Sequence, residues 1–389
     1  MLFNNAIRLM SSNHGGFTPR PILFEKYLVS IDSMLVKNED GYLFLSQDDG
    51  ETYNDGLLIE GVGIIKMIHV FDDGKLLLCD QTKAYYSHDW VTLNESTVLD
   101  INGDAYIPVA LDNFSTISTT KRQIVDGLEV KCWGNYSTEV GTAYENLNVW
   151  YTTDKGATIK SCIKFGTTGN GDISAMEIRH IHAVDFNPMD NTFWLQTGDH
   201  LEATGWETNL IKGTYDFSAD TWKWTLIGSG AEFKMGNIWF YEDYAYWCWD
   251  TNPVGGVMRC RYSDIADISK HERLLTTPND CMNLMMGERG DMVATLMRWG
   301  GNEKSNMLYY SPDRVNFHAI LGNIPKGWSD ATMYWRIFAP NSKGKILAGV
   351  WDDKRDETGV KFSAWGAETS VWIDDMIKNA GFPNAFKPL

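Results

Sequence analysis

The sequence predicts an all-β fold, a seven-bladed β-propeller of four-stranded antiparallel blades that takes in residues 1–389 as a single domain. Three observations support this prediction. Short strand-like runs alternate with turns rich in Gly and Asp along the whole chain. A Ser, Thr or Asp marker follows such a run seven times, at intervals of 41 to 65 residues. Aromatic residues, which favour strands, are abundant, with 16 Trp, 17 Tyr and 17 Phe.

The markers define the repeat, because each interval suits one four-stranded blade with loop insertions. They are Ser46, Ser87, Thr152, Asp216, Ser263, Ser311 and Ser363. Strand-like runs precede each marker, so we expect the order inner strand, second strand, third strand, marker turn and outer strand. We expect the segment before Tyr27 to close the ring against the last blade. Residues 373–379 are expected to form a short helical cap.

Two of the markers begin a longer motif. Residues 46–53 read SQDDGETY and residues 152–159 read TTDKGATI. Both resemble the Asp-box (BNR) repeat of sialidase-like propellers. In such a hairpin the Asp side chain accepts hydrogen bonds from the turn, and Gly adopts a positive φ. We therefore expect Asp48 and Asp154 to be structural residues on the outer rim rather than catalytic ones.

Charge restricts the possible partners. The formal net charge of −17 disfavours nucleic acid and anionic membranes, because both require basic surface patches. An acidic glycan would also be repelled at long range, so it requires a local cluster of Arg, Lys and His. The many aromatic rings suit a sugar site, since they pack against the apolar faces of pyranose rings. Composition thus favours a polysaccharide partner and leaves the oligomeric state open.

Six cysteines are spread over the chain without a CxxC pair, which argues against a zinc ribbon or a redox motif. Cys248 and Cys260 flank a predicted hairpin turn at residues 252–256 and are placed to face each other across it. We expect most of the cysteines to be buried free thiols. No stretch approaches a transmembrane span, and the N-terminus lacks a signal-peptide pattern. The protein is therefore expected to be cytoplasmic, or secreted or periplasmic if a signal peptide has been removed.

The richest candidate site is a group of histidines. Residues 177–182 and 197–200 contain three of the eight histidines, His180, His182 and His200, beside Arg179 and Asp199. In a strand, His180 and His182 point to one face and Arg179 to the other. A purely structural hydrogen-bonded cluster is the alternative interpretation.

An aromatic hairpin follows at residues 241–262. It brings Tyr244 or Tyr246 near Arg259 or Arg261 across one turn, next to Trp247. Cross-strand packing alone explains such pairs equally well. The hairpin register, which the sequence does not fix, decides which tyrosine faces which arginine.

A resemblance to the propeller-fold ulvan lyases, a family of polysaccharide lyases, rests on four positions: His180, His200, Tyr246 or Tyr244, and Arg261. It implies β-elimination at a uronic acid. Arg261 would bind the carboxylate, and a tyrosine with a pKa depressed by nearby cations would remove the C5 proton. The same or a neighbouring group would then protonate the leaving O4 oxygen, with the histidines neutralising charge or sharing the proton transfer. The expected substrate contacts are Arg179, His182, Trp247, Arg336 and His69.

Three alternatives stay open. A sialidase-like hydrolase would surround a carboxylate with arginines, for which Arg20, Arg179, Arg298 and Arg336 are available, although its N-terminal Arg-Ile-Pro motif is missing. A non-catalytic glycan-binding propeller needs only aromatic-lined loops. A structural Zn or Ca ion would draw on His180, His182, Asp185, Asp199 and His200, whose spacing is not a strong ligand pattern. The elimination itself requires no cofactor.

Overall fold

A computed structural model describes residues 27–31, 34–39, 41–46, 52–63, 67–80, 83–106, 122–135, 147–166, 173, 176, 178–199, 208–251, 254–277, 280–287, 289–296, 308–321, 333–340, 346–352, 369–372, 377 and 381–382. These residues are nearly all β. Short 3-10 turns span Ala231–Phe233, Tyr262–Asp264 and Ile268–Lys270. No helix within the described ranges is long and apolar enough to cross a membrane.

Consecutive strands pair into antiparallel sheets, which we number I to VII in chain order. Sheet I contains β1 (Tyr27–Ile31), β2 (Met34–Glu39), β3 (Tyr42–Ser46) and β4 (Leu57–Leu58). Sheet II contains β5 (Met67–Val70), β6 (Leu76–Cys79), β7 (Ala84–Ser87) and β8 (Asn94–Glu95). The predicted four-stranded antiparallel sheets are thus confirmed from the start of the described chain.

Sheet III departs from this pattern. Its antiparallel strands are β12 (Lys131–Gly134), β13 (Asn148–Thr152) and β14 (Thr158–Lys164). Its fourth strand, β9 (Thr97–Leu99), comes from earlier in the chain and runs parallel to β14. A separate two-stranded hairpin consists of β10 (Ile124–Val125) and β11 (Leu128–Glu129).

The later sheets return to the sequential order. Sheet IV contains β15 (His180–Asn187), β16 (Thr192–Gly198), β17 (Asn209–Asp216) and β18 (Thr221–Ser229). Sheet V contains β19 (Met235–Tyr241), β20 (Tyr244–Trp249), β21 (Gly255–Arg261) and β22 (Glu272–Thr277). Sheet VI contains β23 (Cys281–Met286), β24 (Met292–Leu296), β25 (Leu308–Ser311) and β26 (His318–Leu321). Sheet VII, as described, contains β27 (Met333–Pro340), β28 (Ile346–Asp352) and β29 (Thr369–Trp372).

The core lies between neighbouring sheets. All eight residues of β15 are buried, whereas the outer strand β18 alternates between exposed and half-buried positions. Large aromatic side chains fill the space between sheets, and Trp150, Trp194 and Trp247 are fully buried. Truncating such a ring to Ala costs about 3–5 kcal/mol.

The first strands of adjacent sheets lie side by side and are joined by side-chain hydrogen bonds to the backbone. β15 contacts β19, and β19 contacts β23. Asp185 Oδ2 accepts a hydrogen bond from the Ile238 amide at 2.8 Å. Asn237 donates to the Leu284 carbonyl at 2.7 Å and accepts from its amide at 2.8 Å. These contacts fix the relative position of sheets IV, V and VI.

The marker residues mark strand ends, as predicted. Ser46, Ser87, Thr152, Asp216 and Ser311 are the last residues of β3, β7, β13, β17 and β25. In the turn after Thr152, Asp154 Oδ1 accepts hydrogen bonds from the Thr152 hydroxyl at 2.9 Å and the Thr158 amide at 2.8 Å. Ser263 lies in a 3-10 turn instead, and Ser363 and Asp48 lie outside the described residues.

The cysteines are free thiols, and five of the six are buried. The expected contact of Cys248 with Cys260 is wrong: Cys248 is opposite Val257 in the hairpin, and Cys260 is opposite Ala245. Instead, Cys248 Sγ lies 2.9 Å from Cys281 Sγ of the next sheet.

The two chain ends are described only in part. Of the predicted cap at residues 373–379, only Ile377 is described; it is helical and fully buried in the apolar cluster formed by sheets V and VI. The segment before Tyr27 lies outside the described residues, but β1 itself contacts β27.

Candidate functional site

Two buried histidines lie at the start of the first strand of sheet IV. His180 is the first residue of β15, and a β-bulge at His182 shifts the register with β16. Their Nε2 atoms lie 3.0 Å apart, and the two side chains are 1% and 2% exposed. The predicted common face for the two imidazoles is therefore observed, and bulges commonly re-aim side chains at functional sites.

One contact places a proton on Nδ1 of His182. Its Nδ1 lies 2.9 Å from the main-chain carbonyl of Met235, the first residue of β19. A carbonyl only accepts hydrogen bonds, so this Nδ1 carries the proton. In the neutral ring, Nε2 then presents its lone pair to Nε2 of His180.

Charged groups surround the pair. Asp199 directly follows β16 with φ +58°, and its Oδ2 lies 3.5 Å from His180 Nε2 and pairs with the Arg179 guanidinium. Lys234 Nζ lies 3.0 Å from Asp199 Oδ1 and 3.7 Å from Asp250 Oδ2. Asp250 Oδ2 in turn lies 3.6 Å from His182 Nε2. We call these six residues (Arg179, His180, His182, Asp199, Lys234 and Asp250) the histidine centre.

Opposite charges in the histidine centre keep Asp199 and Lys234 ionised. Burial opposes ionisation of Asp199, but the positive charges of His180 and Lys234 outweigh burial and hold the pKa of that carboxyl well below its usual range. Burial also disfavours the Lys234 ammonium, yet Asp250 and Asp199 raise the pKa of Lys234. Both groups are therefore ionised at neutral pH.

Gly198 makes room for the imidazoles. It is opposite His180 in the β15–β16 pairing. A Cβ at this position would lie 1.9 Å from His182 Nε2 and 2.3 Å from His180 Nε2. Any larger residue would push the two rings away from β16.

The structure does not bring the predicted Tyr–Arg pair to this centre. Tyr244 is paired with Arg261, and both lie at the end of sheet V opposite to Asp250. Six strand steps separate Tyr244 from Asp250, or about 20 Å along β20. Arg261 is exposed and stacks on the Tyr244 ring, with 5.4 Å between its guanidinium carbon and the ring centroid. The predicted convergence of these residues with His180 is therefore corrected.

Tyr246 and Trp247 are core residues. They are 1% and 0% exposed and face opposite sides of sheet V. Burial raises the pKa of Tyr246, and the nearby Arg314 and Arg259 offset only part of that effect. The expectation of a depressed pKa for Tyr246 is therefore wrong. Its pKa is raised, because the strand register places this ring inside the core.

The remaining predicted site residues lie elsewhere. His69 is on β5, where Nε2 lies 3.1 Å from Glu129 Oε1 in a buried contact. Arg336 is on β27, opposite Gly349, and its side chain lies outside the described part. His200, Arg20 and Arg298 lie outside the described residues.

Sequence reasoning missed two members of the centre, Lys234 and Asp250. Both lie just outside strands, one residue before β19 and one residue after β20. The Asp250 amide donates to the Lys234 carbonyl at 2.9 Å, which continues the strand pairing. The ends of inner strands in neighbouring sheets lie close together. A charged residue just before or just after such a strand was therefore the sequence signal that could have identified Lys234 and Asp250.

No protein-family model matches the chain, and no curated protein matches it. Solved structures resemble it at low identity. A protein from Lactobacillus plantarum is 12% identical with a TM-score of 0.46, over 89% of this chain and 98% of that one. A Mycobacterium tuberculosis puromycin-hydrolyzing peptidase is 9% identical with a TM-score of 0.46, over 88% of this chain and 55% of that one. A puromycin hydrolase is 10% identical with a TM-score of 0.46, over 83% and 51%. Likeness at this level carries no conclusion about activity.

Proposed function

We propose that this protein is a polysaccharide lyase that cleaves a uronic-acid-containing glycan by β-elimination, with its site at the histidine centre. The observation that carries the proposal is that Arg179, Lys234 and two imidazoles lie together at the ends of the inner strands of sheets IV and V. In a chain with net charge −17, an acidic sugar needs such a local group of nitrogen-bearing side chains.

The roles follow from charge and position. Arg179 and Lys234 are 22% and 18% exposed, so they are the groups of the centre that a uronate carboxylate reaches. Neutralising that carboxylate acidifies the C5 proton. In this proposal His200, which follows Asp199 directly in the sequence, accepts the C5 proton. The C4–O4 bond then breaks, a C4=C5 double bond forms, and His200 returns the proton that it took from C5 to the departing O4.

The proposal includes the fold. We propose that sheets I–VII are the blades of one closed seven-bladed propeller of the Asp-box kind, covering residues 1–389. Support comes from the contacts of first strands: β1 with β5, β12 with β15, β23 with β27, and β27 back to β1. The capped turn at Asp154 supports the Asp-box relationship.

The test is a panel of uronate-containing glycans followed by the ultraviolet absorbance of the unsaturated product. Lys234→Met should reduce turnover by about 10²-fold or more, since a cation that stabilises the developing charge is lost. Arg261→Met is the matched control, because it removes a cation from the opposite end of sheet V, and it should keep full activity. Reducing ends without the unsaturated chromophore would mean hydrolysis and contradict the proposal.

A second candidate, glycan binding without catalysis, is favoured by a cavity of about 470 Å³ between sheets III and IV. Tyr151 and Trp222 line it, and Lys160 and Asp220 form an ion pair at its wall. Such a combination of rings and charges is typical of sugar subsites. Trp222→Ala should abolish glycan retention on an affinity gel if this cavity is the binding site, and should leave it unchanged if the histidine centre is.

A further inference from the structure

Three metal-ligand side chains of the histidine centre converge on one point. The nearest ligand atoms of His180, His182 and Asp199 all lie within 4.8 Å of one another. We infer that these three residues bind a divalent transition-metal ion, with Zn²⁺ as the ion that the ligand set fits best.

The spacing of the donor atoms supports this inference. Tetrahedral Zn²⁺ with bonds of about 2.0–2.1 Å places its ligand atoms about 3.3 Å apart. The two Nε2 atoms are 3.0 Å apart, and His180 Nε2 is 3.5 Å from Asp199 Oδ2. These two distances bracket the tetrahedral value, and the third, between His182 and Asp199, is at most 4.8 Å.

His182 already has the form that a metal requires. Its Nδ1–H donates to the Met235 carbonyl, and this is the usual outer contact that orients a ligating imidazole. Its Nε2 is therefore the lone-pair donor of the neutral ring. Without a metal, the 3.0 Å contact requires a proton between the two Nε2 atoms, which the ion would displace.

The surroundings suit an ion as well. Asp199 bonds to Arg179 and Lys234, but a carboxylate offers about four lone-pair directions and can keep such partners while it ligates. The nitrogen donors select against Ca²⁺ and Mg²⁺, which prefer oxygen ligands. Gly198 leaves the imidazoles free to face one another.

Three protein ligands leave one position of a tetrahedral ion open. Zn²⁺ at this place would give the centre a net positive charge, since Asp199 and Asp250 already offset Arg179 and Lys234. On the proposed lyase function, that open position would receive an oxygen of the uronate carboxylate. The metal site itself does not depend on that function.

The experiment is Zn²⁺ titration of the chelator-stripped full-length chain by calorimetry, with bound metal counted by mass spectrometry and no glycan present. We expect one equivalent per chain. Co²⁺ should give the visible absorption of a tetrahedral site. Asp199→Asn, which keeps the side-chain shape, should weaken binding about 10-fold or more, and His182→Gln should abolish it.

His271→Gln is the matched control, because His271 Nε2 bonds to the Ile265 carbonyl away from the centre, and it should keep one equivalent. Circular dichroism separates loss of metal from loss of fold in the His182 variant. No Zn²⁺ uptake by the parent chain, or equal uptake by the Asp199 variant, would overturn the inference and would mean that the two histidines only share a proton. Glycan cleavage is measured separately, so a metal-free lyase and a metal-binding non-lyase give different results.

Discussion

Gly198→Ala is the most direct perturbation of the histidine centre. The added Cβ would lie 1.9 Å from His182 Nε2 and 2.3 Å from His180 Nε2, whereas carbon–nitrogen contacts need well over 3 Å, so both rings must move. Overpacking of this kind costs about 1–3 kcal/mol. Removing a glycine from a strand returns about 0.5–1 kcal/mol. The net loss in the free energy of unfolding should be about 1–2 kcal/mol.

Guanidinium denaturation followed by tryptophan fluorescence measures that loss, provided that the slope with denaturant is unchanged. Gly213→Ala is the matched control, because its Cβ would lie 2.4 Å from the Trp224 ring, on the far side of the same sheet. Both variants should lose stability, but only Gly198→Ala should also weaken Zn²⁺ binding. A Gly198→Ala protein within about 0.5 kcal/mol of the parent would refute the packing argument.

Three further predictions concern other parts of the molecule. Burial, with help from Lys131, lowers the pKa of His69 to about 4, against 6.5 when exposed, so the unfolded chain binds the extra proton. Stability should therefore fall as the pH drops from 6.5 to 4, and urea titrations should show a shallower fall for His69→Gln. Mild oxidation should join Cys248 to Cys281 and leave Cys260 free, as peptide mass mapping would show. Asp154→Ala should cost about 1 kcal/mol in thermal or chemical denaturation, because two turn hydrogen bonds are lost; an unchanged midpoint would mean that the turn holds without them.

The fold was more predictable than the site. Strand-like runs and marker turns depend on local sequence, and five of the seven markers are strand ends. Register is not local: a shift of two residues between β20 and β21 decides whether Tyr246 faces Arg259 or Arg261, and only the pairing shows that it faces Arg259. Which end of β20 and β21 lies beside sheet IV likewise decides that Arg261 is far from the histidines.

The histidine centre shows both outcomes. His180 and His182 are two residues apart on one strand, so the two-residue period of a strand predicted that they share a face. Lys234 and Asp250 flank strands of the next sheet, and only the packing of sheet V on sheet IV brings Lys234 to Asp199 and Asp250 to His182. Contacts between segments distant in sequence need the assembled fold.

The parallel strand β9 has a consequence for how such a chain can be cut and rebuilt. Residues 94–95 end sheet II, and residues 97–99 complete sheet III, so the chain passes from one sheet to the next across a single residue. Sheets II and III therefore share one continuous segment at their edges. A fragment that begins at residue 122 would carry sheet III without its edge strand, and a duplicated copy of that sheet would have to borrow one. We expect these two units to be gained, lost or transplanted only as a pair.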